Sequence, residues 1–291
     1  MAKKDIKLLV LPAVPGMNEV IKKFPFALDF TRGQFCDLEI IIKNQKLQVL
    51  HQQIELKNYS FVWLSSYWNS RDLAFAVEMY LQKNRIKHTS VEKSTSKLTD
   101  HVVFCQDKIV CPDTLFFGHR NIKRIVLQIK KVCGFPIIIK DIRGSRGANA
   151  KFILDEKELK KEIVKLPKEK RFIFQKFIPN KYDWGVMVAN GVVVSGEKSY
   201  PKVGEFRNNV CNGAKEVFID VSLIPKNIKK IAIAASQSLG LNWSRVDIII
   251  DKYSEKPYVM EVNRLPGITS KTSEVEGAYK FLAEQLNKVN S

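Results

Sequence analysis

The 291-residue sequence has no apolar run near the length of a bilayer span, so no membrane-crossing helix is expected. It has no CxxC pair, and its five cysteines, Cys36, Cys105, Cys111, Cys133 and Cys211, are scattered and odd in number. That argues against a zinc site or a disulfide framework and fits reduced thiols in a cytoplasmic protein. No internal repeat or low-complexity linker is present, nor the GK[ST] ending of a P-loop. Four histidines occur, His51, His88, His101 and His119. None matches a catalytic motif, and all four read as structural or surface residues. A Ser/His/Asp or Cys/His arrangement for nucleophilic catalysis is missing too.

Acidic residues are scarce beside basic ones: 30 Asp and Glu against 48 Lys and Arg, a formal charge of +18. A nucleic-acid or polyphosphate binder carries such a balance. The lysines are spread along the whole chain, however, with no RGG, RS or zinc-finger pattern, which reads better as general basicity. A basic mouth for an anionic small substrate is compatible with both, and nucleic acid stays open as a partner.

What is present suffices for one large domain or two ordinary ones, with 45% hydrophobic residues. The opening "MAKKDIKLLVLPAVPGMNE" turns from basic to apolar as a signal peptide does. Its apolar stretch is short and lacks a small-residue cleavage site, so Ile6–Ala13 reads as a first strand. Strands follow at Leu38–Lys43, Lys46–Gln52 and Ser60–Ser65, with Asn44-Gln45 as a hairpin turn, then a helix over "RDLAFAVEMYLQKNRI". Ser94 or Ser96 can cap a helix with apolar positions Leu98, Val102 and Cys105. A helix Ile122–Cys133, a strand–glycine loop–strand, and a charged helix Glu156–Leu166 come next. From residue 171 the pattern is antiparallel, with Asn190-Gly191 as a two-residue turn, a helix Ile224–Gly240, a last hairpin and a helix from Ser273.

In the last hairpin, "RVDIIIDKYSEKPYVMEVN", Tyr258, Met260 and Val262 alternate as one apolar face, and Val246, Ile248 and Ile250 as another. If both sets face the core, Asp247, Glu261 and Asn263 share the opposite side. Two carboxylates and an amide on one rigid face suit Mg²⁺, which takes hard oxygen ligands and completes its shell with substrate phosphates. An exposed polar face is the plainer reading of the same residues.

Upstream, Lys140 ends the strand Phe135–Ile139 and places an ammonium at the sheet edge. "RGSRGAN", residues 143–149, follows: Gly144 and Gly147 permit close backbone approach, and Arg143 and Arg146 add charge. In "EFRNN", residues 205–209, an arginine stands beside two asparagines, a set able to stabilise charge on a phosphoryl group.

Taken in order, Lys97, Lys140, the glycine loop, "QKFI", "GEFRNN", Asp247 and "EVNRLPG" resemble the ATP-grasp superfamily, and within it the RimK-like ribosomal-protein glutamate ligases and related peptide ligases. The resemblance covers residues 96–291, with "SKL" before a helix and P-x-T at Pro112–Thr114. It implies an α/β (α+β) ATP-grasp fold. Residues 1–95 would be a small N-terminal α/β domain. Residues 96–291 would be two α+β subdomains gripping ATP, one at 96–170 with lid loop 143–149, the other an antiparallel sheet at 171–291 with the metal site.

The resemblance also implies roles. Lys97 and Lys140 contact ATP phosphates, and Arg143, Gly144, Ser145, Arg146 and Gly147 form a lid over them. Gln175, Lys176, Phe177 and Ile178 are the adenine hinge, reading the base mainly through backbone groups. Asp183 is a further acidic residue of the nucleotide site. Arg207 and Asn209, with Lys140, face the transferring phosphate. Asp247, Glu261 and Asn263 hold two Mg²⁺ ions, for which Mn²⁺ can substitute. The implied reaction joins an amino acid or other carboxylate to an amine acceptor, such as a peptide or protein terminus, through an acyl phosphate. Departures from the family pattern are Gly185 where an arginine is common, Asn212 where a basic residue is frequent, and Lys176 where glutamate is common. Gly185 puts glutamate as substrate in question. Two other readings stand beside this one: a basic nucleic-acid binder on a non-catalytic ATP-grasp-like fold, and a small-peptide or natural-product ligase.

Overall fold

The computed structural model describes residues 6–67, 69–91, 96–118, 121–144, 150–205, 207 and 212–290. Ser145, Arg146, Gly147, Asn209 and His119, all named above, lie outside the described residues.

The chain begins β1 (Lys7–Leu11), α1 (Met17–Ile21), β2 (Asp29–Arg32), β3 (Leu38–Lys43), β4 (Lys46–His51), β5 (Ile54–Glu55), β6 (Phe61–Leu64), α2 (Arg71–Lys83) and β7 (Lys87–His88). Four strands pair in parallel in the order β2-β1-β6-β7, while β3-β4-β5 form a separate antiparallel sheet. The runs "KLLVL" and "FVWL" are apolar on both faces, as central parallel strands must be. Leu9, Leu11, Val62 and Leu64 pack under α2 through Val77, Tyr80 and Leu81.

Next come α3 (Lys97–Gln106), β8 (Thr114–Phe116), α4 (Ile122–Val132), β9 (Ile137–Asp141), β10 (Lys151–Ile153), α5 (Glu156–Ile163) and β11 (Phe172–Lys176). Their sheet runs β10-β9-β11-β8, antiparallel, and α4 and α5 pack against it. The expected division at residue 170 thus falls before β11, whose partners β8 and β9 belong to the preceding segment.

The last part holds β12 (Asp183–Ala189), β13 (Val192–Tyr200), β14 (Lys215–Phe218), α6 (Lys226–Ser238), β15 (Trp243–Ile250), β16 (Pro257–Asn263) and α7 (Ser273–Asn290). The sheet order is β14-β13-β12-β15-β16, all antiparallel. Asn190 and Gly191 both have positive φ, as their two-residue turn requires. One face packs on α6, and the other on α7 together with Leu8, Val10, Phe61 and Trp63 of the first sheet. Trp63, Trp243 and Phe281 meet there at centroid distances of 5.1–5.3 Å. A Cβ on Gly16 would sit 1.9 Å from the Ile268 carbonyl oxygen, so this close crossing of two loops requires glycine.

Two readings of buried faces are corrected. Met260 does not share a core face with Val262. The β15–β16 register passes from Asp247 opposite Glu261 to Ile248 opposite Val259, so Met260 is the extra residue of a bulge. Val246, Ile248, Val259 and Val262 form the core side. In α3, Val102 is 47% exposed and Cys105 is exposed, while Asp100, His101 and Phe104 are buried. Polar partners on neighbouring elements decide which face of that helix turns inward.

Candidate active site

Two sheets and the start of α3 bring the key side chains together. Ser96 caps α3 reciprocally: its Oγ accepts from the Thr99 amide, and its own amide donates to Thr99 Oγ1. The Lys97 amide donates to the Ile142 carbonyl, tying the helix start to the end of β9. Lys97 Nζ lies 2.5 Å from Glu261 Oε1. One turn on, Asp100 receives both Arg264 nitrogens, at 2.9 and 2.7 Å, and Arg264 Nη1 also donates to the Val262 carbonyl. Each side chain of this pair is 3% exposed. The residue that follows Asn263 therefore locks the helix that carries Lys97.

Lys140 donates to Gln175 Oε1 at 2.7 Å. The Gln175 amide nitrogen in turn lies 3.0 Å from His101 Nε2 and 3.0 Å from Thr114 Oγ1. An ammonium has only donors, so Gln175 must present its oxygen to Lys140 and its NH₂ to His101. Nε2 of His101 then accepts, which puts the imidazole proton on Nδ1. Burial, reinforced by Lys140, pulls the His101 pKa down to about 4 and keeps the ring neutral. Burial and the nearby Lys97 lower the Lys140 pKa to about 8. Gln175 thus acts through a fully buried side chain.

On the sheet, Asp247 and Glu261 stand directly opposite each other, and Asn263 Nδ2 donates to Asp247 Oδ2 at 2.9 Å. Burial raises the Asp247 pKa. Burial would raise Glu261 as well, but Lys97, Lys140 and Arg264 outweigh it, and its carboxyl stays below the usual range. Arg245 Nε is 3.3 Å from Asp247 Oδ1, and its Nη2 is 2.5 Å from Glu197 Oε1. Glu197 is buried, which raises its pKa against the pull of Arg245. The space above Gly185 is filled by this pair: a Cβ there would lie 1.8 Å from Glu197 Oε1 and 2.4 Å from Arg245 Nε. A guanidinium thus stands over β12 after all, supplied from β15. Asp183, at the start of the same strand, contributes to the field on Arg245.

The remaining expected residues are dispersed. Arg143 closes a turn on Asp141 with Gly144 and points outward, and the rest of the lid falls outside the described residues. Lys176 is exposed, 3.8 Å from Asp113. The amides of Lys176 and Phe177 donate to the Asp113 and Pro136 carbonyls. Ile178 is buried, and its carbonyl accepts from Asn180. Phe177 meets Phe152 edge to face at 4.9 Å beside a cavity of about 310 Å³, lined also by Asn180, Pro201, Gly204 and Glu205. Arg207 forks onto Glu205 at 2.9 and 2.7 Å, which holds it beside that cavity.

His101 and Arg245 were missed as site residues. Spacing alone could have flagged both: His101 is four residues after Lys97 on one helix face, and Arg245 is two before Asp247 on one strand face.

The donor set fits a hard cation. Asp247 Oδ1 is buried without a hydrogen bond, two carboxylates face each other, and an amide adjoins them. Among the described residues no group of three or more His, Cys, Asp or Glu is placed to hold a metal, so phosphate oxygens would complete the shell.

The fold is that of the ATP-grasp ligases. D-alanyl-alanine synthetase A from Vibrio cholerae superposes with a TM-score of 0.72 at 13% identity over 99% of each chain. A RiPP-associated ATP-grasp ligase from Chryseobacterium gregarium, solved with ADP and a leader and core peptide, gives 0.65 at 14% identity over 96% of this chain and 97% of that one. The profile of the RimK-like ATP-grasp domain matches residues 94–284, and the chain belongs to that family. A probable alpha-L-glutamate ligase 2 from Pseudoalteromonas atlantica is 30% identical over 183 residues, which is 62% of this chain and 58% of that relative. Among the described residues no helix is long and apolar enough to cross a membrane.

Proposed function

We propose that the chain is an ATP-dependent carboxylate–amine ligase acting on the amino-acid and peptide class of substrates. The observation that carries this is the cluster of Lys97, Lys140, Asp247, Glu261 and Asn263, with Lys97 on Glu261 and Asp247 opposite it. Two ammonium groups beside two carboxylates make a charge-balanced site that a metal–phosphate pair can enter. Lys97 then exchanges Glu261 for a phosphate oxygen, and Lys140, held by Gln175 and His101, binds a second. Asp247, Glu261 and Asn263 would hold two Mg²⁺ ions, or Mn²⁺ in their place. When bound, the metal would offset charge on the phosphates and help orient the transfer. The base enters the cavity beside Phe177, and residues 143–149 exclude water. The substrate carboxylate attacks the γ-phosphorus, giving an acyl phosphate and ADP. An amine attacks the acyl carbon, forming the C–N bond and releasing phosphate. Arg207 leaves Glu205, and with Asn209 it stabilises the transferring group.

Glutamate is named for relatives of this chain, and a structural neighbour was solved in complex with a leader and core peptide. Arg245 is the guanidinium above β12, and its partners Glu197 and Asp247 offset its charge. That arrangement favours a peptide-type substrate over a free dicarboxylic amino acid. Residues 1–95 form the N-terminal unit of the same enzyme.

Calorimetric titration of Mg·ATP tests the reading. Saturable one-site binding in wild type that collapses in Glu261→Gln is expected, followed by ADP release on screening amino acids and peptides. No binding in wild type, or equal binding in the variant, refutes it.

A further inference from the structure

The β3–β4 hairpin carries features that the proposed ligase chemistry does not use. β3, "LEIIIK", is the end strand of its sheet, and no further strand pairs with it among the described residues. Ile42 is 79% exposed, and Ile40, Ile41 and Leu47 of the same hairpin are exposed as well. Edge strands are normally blunted by proline, bulges or charge. Here three successive isoleucines occupy the open edge.

Hairpin geometry decides which backbone groups are free. Asn44 and Gln45, both at positive φ, form a two-residue turn between Lys43 and Lys46. The pair flanking such a turn is hydrogen-bonded, so the N–H and C=O of Lys43, Ile41 and Glu39 turn toward β4. Those of Ile40 and Ile42 and the carbonyl of Leu38 then point outward, offering two donors and three acceptors, since the Leu38 N–H already donates to the Phe35 carbonyl.

We propose that β3 is the pairing edge for a second copy of this chain, antiparallel about a two-fold axis at Ile41. The strand is complementary to itself in that register. Ile40 of one copy meets Ile42 of the other and exchanges backbone hydrogen bonds, while Glu39 faces Lys43 at both ends. Moving the axis by one residue to Ile40 would set Glu39 against Ile41 and lose that match. Two-fold pairing joins two three-stranded sheets into one of six strands and covers the isoleucines, the isologous arrangement common in homodimers. This inference does not depend on the ligase reading.

The test is sedimentation of the full chain over a range of concentrations, with circular dichroism to confirm folding. Wild type is expected to dimerise. Glu39→Lys and Lys43→Glu each place like charges opposite each other twice, and each is expected to raise the dissociation constant about tenfold or more. The double variant Glu39→Lys/Lys43→Glu restores both pairs and dimerises again. An equimolar mixture of the two single variants forms heterodimers, because each then supplies what the other lacks. Wild type that stays monomeric at every concentration overturns the proposal and leaves the edge to an extended peptide. Dimers indifferent to Lys43→Glu, or a double variant that stays monomeric, overturn it as well.

Discussion

Asp100→Asn keeps the shape of the side chain and removes its charge. Arg264 would then remain buried, at 3% exposure, with its two-pronged carboxylate partner gone. Breaking a buried ion pair from one side costs about 3–5 kcal/mol, because the surviving charge is desolvated without compensation. For a chain of this size that is a fall in Tm of about 6–20 °C. The loss is expected to be local first. Amides of α3 should exchange faster with solvent, and Mg·ATP affinity should drop with them, since Lys97 sits on the same helix. Thermal unfolding and hydrogen exchange are the assays. The double change Asp100→Leu with Arg264→Met removes both charges and should recover most of the stability. The reasoning is refuted if Asp100→Asn costs under about 1 kcal/mol, or if the apolar pair is as unstable as the single variant.

His101 links stability to pH. Its folded pKa of about 4 lies below the ordinary 6.5, so between those values the unfolded chain binds a proton that the native chain does not. Its contribution is full above about pH 6.5 and is lost as pH falls toward 4, about 3 kcal/mol in all; urea midpoints across that range should show a slope that His101→Leu flattens. Ser96→Ala removes the cap of α3 and should cost about 0.5–2 kcal/mol, with Ser96→Asp retaining most of it in thermal melts. Gly185→Ala drives a methyl to within 1.8 Å of Glu197 Oε1 and displaces Arg245. It should destabilise by about 1–3 kcal/mol in urea titrations and reduce turnover; a variant with wild-type stability would show that the pair above Gly185 moves aside freely.

Much of the site was legible because β-structure has a strict period. Asp247 and Glu261 alternate with core valines, so burying Val246 and Val262 puts the two carboxylates on the same opposite face, where the observed register pairs them. Ser96, one of two candidate caps, and Lys140 were readable from cap and strand-end positions for similar local reasons, while Lys97 was singled out only through the family resemblance. The bulge at Met260 was not readable, since inserting one residue changes the alternation without leaving a mark in composition. Nor was the inward face of α3, where Asp100 and His101 are buried because Arg264, just past β16, and Gln175, on β11, meet them from far away in the sequence.

By itself the sequence determined most of the longer helices and strands, several capping and turn residues, and the order of charged and glycine positions along the chain, because each depends on neighbours a few residues away. The tertiary structure alone decided that Lys140 is aimed by Gln175 and His101, that Lys97 rests on Glu261, and that the guanidinium above Gly185 comes from Arg245 on β15. Those contacts join residues tens to hundreds of positions apart. Burial and donor–acceptor matching select them only once the sheets and α3 have packed.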